Sequence, residues 1–431
     1  MGVQVFKFGG ASVRNADGFR NVGRIIQQNG DKPLLVVISA MGKTTNALEQ
    51  VVNAFYKNTG SWSELFEIVK KSHTDLFLEL VPGANSLPEE IVQILQATEA
   101  RLKMRSLEEY DLIYDQVVSA GELLSSRILA YYLHALGVDA EWIDIRDIIL
   151  TDSTYRDARI MWQETKVHTE QHVKPLLEQR KIIVTQGFIG KNADGYTTTL
   201  GREGSDYTAA ILSYCLDAES MHIWKDVPGV LTGDPRIFEE VTLLPRLSYN
   251  EAIEMTYYGA KVIHPKTIKP LQNKQIPLYV RPFDEPSSHG TVISAERELS
   301  YPPVIVIESN QSLLHISTND FSFVAEHHLS SIFALLAQCR LKVNMMRNTA
   351  ISFSVCVNNV PERIAKFEKE LGTEFKLIAD NDLELITILH YNDVVYSEMK
   401  KDKLVLQEEK YADMVQIVAR NIPKMKRRDI S

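Results

Sequence analysis

Several short stretches combine glycine with charged and hydroxyl side chains in the way phosphate chemistry requires. In VFKFGGASV (residues 5–13), Lys7 closes an apolar strand pattern, and Gly9 and Gly10 let the backbone come close to a ligand. Ser12 is a candidate cap for a following helix, whose N-terminus favours anions. In TTTLGREGSDYTAAIL (197–212), Gly201, Gly204 and a run of hydroxyls including Ser205 precede a helix expected from Asp206 or Tyr207. Asp206 reads as a helix cap or as a carboxylate that orients Lys7 or holds Mg²⁺. Arg202 offers a planar fork suited to a carboxylate; the plain alternative is a surface arginine. WKDVPGVLTGDPRIF (224–238) places Asp226 and Arg236 in a loop after a strand, where open α/β sheets bind ligands. In SAGELLSSRIL (119–129), Glu122 lies in a first helical turn, either capping it or receiving an ammonium group. VVISAMGKTTN (36–46) looks like half a phosphate loop, but the first glycine of that motif would fall on Val37, inside a strand. A nucleotide P-loop is therefore not expected there.

These residues need elements to hold them. Residues 3–8 read as a strand, 19–28 as a helix, and PLLVVI (33–38) as a strand buried on both faces. That is a βαβ unit. Further strands are expected within 181–190, 220–226 and 276–283, with helices over 64–80, 89–103 and 122–136. The fold class is α/β: an open, mostly parallel sheet with helices on both faces. The texture changes after about residue 295. Short strands and helices over 329–339 and 361–371 make a small α+β tail with at least one βαββαβ unit.

Bulk composition narrows the function class. The chain has 431 residues, 45% hydrophobic and 24% charged, and a formal net charge of −9, so nucleic acid is not an expected partner. The basic cluster at 424–428 reads as a solvated tail. Cys215, Cys339 and Cys356 are too few and too scattered for a disulfide framework, and read as buried reduced thiols of a cytoplasmic protein. The N-terminus lacks a signal-peptide pattern, Phe6 occupies the hydroxyl position of a myristoylation motif, and no apolar run reaches membrane-spanning length.

Taken together, KFGGASV, VISAM…TTN, SAGELLSSRIL, TTTLGREGSDYTAA, WKDVPGVLTGDPR and YGAKVIHP resemble the aspartate kinases of the amino-acid kinase superfamily. They occur in that family's order across residues 1–295. The resemblance implies a catalytic domain over 1–295 and ATP-dependent phosphorylation of the β-carboxylate of L-aspartate, with Mg²⁺. It implies that Lys7 holds the transferring phosphoryl group and that Asp206 organises Lys7. It places Ser39, Thr45, Glu122, Arg202, Gly204 and Ser205 on aspartate, with Glu122 on the α-ammonium and Arg202 on the α-carboxylate. It places Lys7, Phe8, Gly9, Gly10, Lys225, Asp226, Leu231, Arg236, Lys261 and Val262 on ATP. Other readings stay open: a sister kinase acting on another carboxylate such as glutamate, or an inactive amino-acid-binding subunit.

Three residues depart from the family pattern. Ala11 stands for a usual Thr, Glu203 for a Gly and Leu231 for a Tyr. A glutamate at positive φ would cost about 1 kcal/mol or more. The tail, 296–431, resembles the ACT regions that carry feedback control and pair across a homodimer. A first unit covers about 310–358 and a reduced second one about 375–421, whose final strand is expected to return to the first. Lysine-sensitive relatives carry carboxylates where this chain has Asn344 and Ala350, so weak or absent lysine inhibition is expected. Threonine, or no effector, is left open.

Overall fold

The computed structural model describes residues 2–58, 60–104, 109–179, 181–260, 263–297, 300–319, 322–372 and 374–422. The chain forms two compact units. The first holds residues up to 230, 243–253 and 263–297; the second holds 231–242, 254–260 and the chain from 300 onward. Thus 231–242 and 254–260, which the sequence reading assigned to the first domain, pack within the second unit. The basic cluster at 424–428 lies outside the described residues.

The first unit is built on strands β1 (Gln4–Phe8), β2 (Leu34–Ile38), β3 (Ala140–Trp142), β4 (Ile182–Gln186), β5 (Ile189–Lys191), β6 (Thr197–Thr199), β7 (Ser220–Lys225), β8 (Arg246–Ser248), β9 (Leu278–Pro282) and β10 (Thr291–Ser294). Eight of them form one sheet in the order β3-β4-β2-β1-β7-β9-β10-β8. Every neighbouring pair is parallel except β9/β10. β5 and β6 make a separate antiparallel ribbon.

The sequence dictates the centre of this sheet. All five side chains of β2 and of β4 are buried, as expected of strands covered on both faces. Each buried Val, Leu or Ile there contributes about 1.5–3 kcal/mol. The helix Ala16–Asn29 buries Phe19, Val22, Ile25 and Ile26 against the same core. Its cap is Asn15, whose Oδ1 accepts from Gly18 N at 3.1 Å. Ser12, the expected cap, instead donates through Oγ to the Trp224 carbonyl at 3.3 Å.

Register decides where chemistry is possible. Phe8 lies opposite both Ile38 and Trp224, and Ile38 lies opposite Gln186. The carboxyl ends of β1, β2, β4 and β7 therefore finish side by side. The chain leaves β1 toward β2 on one side, while β7 flanks it on the other, which is the switch point at which α/β sheets bind ligands.

The second unit holds β11 (Val304–Thr318), β12 (Val343–Asn348), β13 (Ser352–Asn358), β14 (Phe375–Leu389), β15 (Lys403–Lys410) and β16 (Met414–Asn421). They form one antiparallel sheet in the order β12-β13-β11-β14-β16-β15. From β11 to β14, with helices Glu326–Gln338 and Pro361–Leu371, the order is the expected βαββαβ. The charged segment after it contains a helix, Asp393–Lys400, and the whole of β15. The last strand, β16, lies between β14 and β15 and does not return to β12 or β13.

Candidate active site

A cavity of about 600 Å³ opens at the carboxyl edge of the parallel sheet, a size suited to small-molecule ligands. Its walls include Lys7, Gly9, Gly10, Ser39, Thr45, Glu122, Arg202, Gly204, Ser205, Asp206, Lys225 and Asp226. Residues from five separate sequence stretches thus meet in one space.

Two glycines make the close approaches that the walls need. A Cβ on Gly10 would lie 2.8 Å from the Gly42 carbonyl oxygen, and the Gly42 N–H donates to Gly10 O at 3.1 Å. A Cβ on Gly187 would lie 2.4 Å from the Ser205 Cβ, so only glycine lets the helix start pack there.

The helix Gly204–Cys215 begins earlier than the sequence predicts, and Asp206 is not its cap. Asp206 sits inside the first turn, where a carboxylate also gains from the helix dipole. Lys7 Nζ lies 2.5 Å from Asp206 Oδ1, and Lys225 Nζ lies 3.7 Å from Oδ2. Burial opposes ionisation of Asp206, but the charges of Lys7 and Lys225 outweigh it and hold the carboxyl below its usual range. The pair therefore persists as ions in a water-poor wall.

Glu122 behaves in the opposite way. It is buried in the first turn of the helix Ala120–Ala135. Burial pushes its carboxyl up to about 8, although its own N–H, that of Ala40 and the Lys7 charge pull downward. Its Oε2 is buried with no hydrogen-bond partner among the described residues. A buried carboxylate oxygen in that state costs free energy until a cation reaches it.

Arg202 is exposed on the cavity wall and has no ion pair among the described residues. Glu203 has φ of 54°, so the feared positive φ is real. Its Oε2 accepts the His264 N–H at 3.0 Å, which offsets part of that strain.

Other expected residues fall elsewhere. Phe8 is fully buried and stacks on Trp224 at 6.0 Å, so only its backbone can serve the site. Leu231 and Arg236 belong to the second unit and do not line this cavity; Arg236 forks onto Asp234. Lys261 and Val262 lie outside the described residues. Sequence reasoning missed three lining residues that lie outside every stretch singled out above for chemistry, Tyr114, Arg156 and Phe188. It also missed Asp115, a fully buried carboxylate that ties the Arg156 turn to Thr199. Among the described residues no group of three or more potential ligands could hold a metal by itself. No helix among them is long and apolar enough to cross a membrane.

The amino acid kinase family model matches residues 2–282. The chain belongs to the amino acid kinase family. Within that family the chain is 33% identical over 365 residues to aspartokinase 1 of Arabidopsis thaliana chloroplasts, covering 82% of this chain and 63% of the relative. It is 30% identical over 359 residues to the lysine-sensitive aspartokinase 3 of Escherichia coli, covering 83% of this chain and 78% of that one. Among solved structures, E. coli aspartokinase III with lysine and aspartate (T-state) matches with a TM-score of 0.81 at 26% identity, over 96% of this chain and 95% of that one. The same enzyme with aspartate and ADP (R-state) matches with a TM-score of 0.80, over 97% and 96%. The chain therefore shares the aspartokinase fold over nearly its whole length.

Proposed function

We propose that the chain is an ATP-dependent aspartate kinase, which converts L-aspartate to 4-phospho-L-aspartate on the way to lysine, threonine and methionine. The observation that carries this is the pairing, in one cavity, of the partnerless buried oxygen of Glu122 with the buried Lys7–Asp206 ion pair. Glu122 asks for an ammonium, and Lys7 offers a fixed cation to a phosphoryl group. The E. coli relative, solved with aspartate and ADP, supports the same substrates for this chain.

The chemistry needs no general base. A β-carboxylate has a reference pKa of about 3.9 and is already an anion at neutral pH. Its oxygen attacks the γ-phosphorus, the bond to the β-phosphate oxygen breaks, and ADP leaves with that electron pair. The protein must bring two anions together and neutralise the charge that spreads over the transferring group. Lys7 supplies that charge, and Asp206 fixes where Lys7 points. Gly9 and Gly10 let backbone N–H groups approach the phosphates. Lys225 and Asp226 extend the same wall toward the nucleotide. Glu122 takes the α-ammonium, Arg202 the α-carboxylate, and Ser39, Thr45, Gly204 and Ser205 complete the amino-acid end.

Mg²⁺ fits this donor set. It binds through one or two carboxylates plus substrate phosphates, and Asp206 and Asp226 both line the cavity. When bound with ATP, it would neutralise phosphate charge alongside Lys7. We also take the second unit to be an ACT-type regulatory part through which two copies pair and an amino-acid effector acts.

The test is ADP release by the purified chain with Mg²⁺-ATP and either L-aspartate or L-glutamate. Aspartate-dependent release is expected. Release with glutamate alone would move the assignment to a sister kinase. Silence with both amino acids, with ATP still bound, would make the chain a binding subunit.

A further inference from the structure

Arg156 stands at the cavity with no motif to announce it. It takes φ of 68°, a left-handed conformation that costs a residue with a side chain about 1 kcal/mol. The strain is held by a buried anchor. The Arg156 N–H donates to Asp115 Oδ2 at 3.0 Å. The same carboxylate accepts the Thr199 N–H and the Thr199 hydroxyl, both at 2.8 Å. Thr199 ends β6, two residues before the turn that carries Arg202. That turn is packed on the first one: a Cβ on Gly201 would lie 3.2 Å from the Arg156 carbonyl oxygen and 2.7 Å from Asp157 Oδ1. Two arginines are thus presented by abutting turns on one wall, tied to each other through Asp115.

The guanidinium is oriented but not used up. It lies over the Tyr114 ring at 4.3 Å, and Tyr114 also lines the cavity. Nη1 reaches Asp111 at 3.2 Å and Nη2 reaches Glu49 at 3.7 Å. Both partners are substantially exposed, and such pairs contribute about 0–1 kcal/mol. The remaining N–H donors of the fork are available to a ligand. A carboxylate has lone pairs enough for two guanidinium groups, and Arg202 supplies only one of them.

We infer that Arg156 is a second carboxylate-binding arginine, which with Arg202 grips the α-carboxylate of the amino-acid substrate and so sets specificity for a free α-carboxyl group. This rests on the aspartate kinase reading.

The test uses the full chain and two variants, Arg156→Gly and Arg156→Lys. Glycine accepts φ of 68° without strain, so loss of the side chain is separated from loss of the turn. Lysine keeps the charge and loses the fork. Kinetics are measured with L-aspartate and with its α-amide, which keeps the β-carboxylate but has no α-carboxylate. The amide is followed as a substrate or as a competitive inhibitor. Arg156→Gly is expected to raise KM for aspartate at least about tenfold with kcat within about threefold, and Arg156→Lys to fall between. The constants for the α-amide and for ATP should stay within about twofold of the parent. An unchanged KM for aspartate, or an equal loss for aspartate and α-amide, overturns the inference while the kinase reading stands. A parent chain with no aspartate-dependent turnover overturns the kinase reading and the inference together.

Discussion

Lys7 Nζ lies 2.5 Å from Asp206 Oδ1, although Lys7 comes from the central strand and Asp206 from a helix start almost two hundred residues later. A buried ion pair is weak ground for a claim about stability, since desolvation consumes most of its attraction. A cation fixed at the carboxyl edge of a parallel sheet is strong ground for a claim about phosphoryl transfer.

Lys7→Ala is expected to lower kcat by about 10²–10³ or more, as removal of a preorganised charge does. The fold should persist, because Lys225 Nζ remains 3.7 Å from Asp206. Circular dichroism and thermal melting check the fold, and turnover checks the role. Near-normal turnover in a folded variant removes Lys7 from the mechanism.

Glu122 gives a pH signature. Its carboxyl is pushed up to about 8 from 4.5, so the folded protein holds an extra proton between those values. Stability from this group is present at low pH and falls as pH rises across that window. Ammonium binding runs the other way, because it needs the ionised form. We expect kcat/KM for aspartate to rise with pH along a limb near 8. Glu122→Gln should remove the limb and cost about 10- to 100-fold in kcat/KM, the worth of a charged hydrogen bond of about 1.5–3 kcal/mol. A limb that survives in Glu122→Gln belongs to another group.

At Glu203 two small terms compete. Glycine relieves a positive φ, worth about 1 kcal/mol, but loses the carboxylate's bond to the His264 N–H, worth about 1.5 kcal/mol at this half-buried position. Glu203→Gly should therefore melt close to the parent. Glu203→Ala keeps the strain and loses the bond, and should be less stable than Glu203→Gly by about 1 kcal/mol. Thermal unfolding of the three proteins ranks them; alanine above glycine would contradict the account.

Much of this site was legible because its residues break local patterns. A lysine closing an apolar strand, paired glycines and a carboxylate at a helix entrance all stand out. The centre of the sheet was legible because continuous apolar runs such as LLVVI have few alternatives. Arg156 was not legible, because a left-handed residue is normally signalled by Gly, Asn or Asp. Asp115 was hidden because a carboxylate within a helical pattern reads as solvent-exposed. β15 and the helix before it were missed for a related reason. Lys403–Lys410 is an edge strand full of charge, and Asp393–Lys400 has no fully buried residue, so neither shows a clear apolar period.

In the second unit, Asn344 Nδ2 donates to Gln311 Oε1 and to Asn358 Oδ1, both at 2.9 Å. These amides offer dipoles, and no carboxylate, to a cationic amino acid. Lysine is expected to leave aspartate-dependent turnover unchanged at micromolar concentration. Micromolar inhibition in a lysine titration would contradict this.

The central claim is transfer to the β-carboxylate of aspartate, and acyl-phosphate trapping tests it most directly. The chain is incubated with Mg²⁺-ATP, L-aspartate and hydroxylamine, and ADP and hydroxamate are both quantified. The account predicts aspartate β-hydroxamate in amounts matching the ADP released. ADP without hydroxamate, or the α-hydroxamate in place of the β, would contradict it.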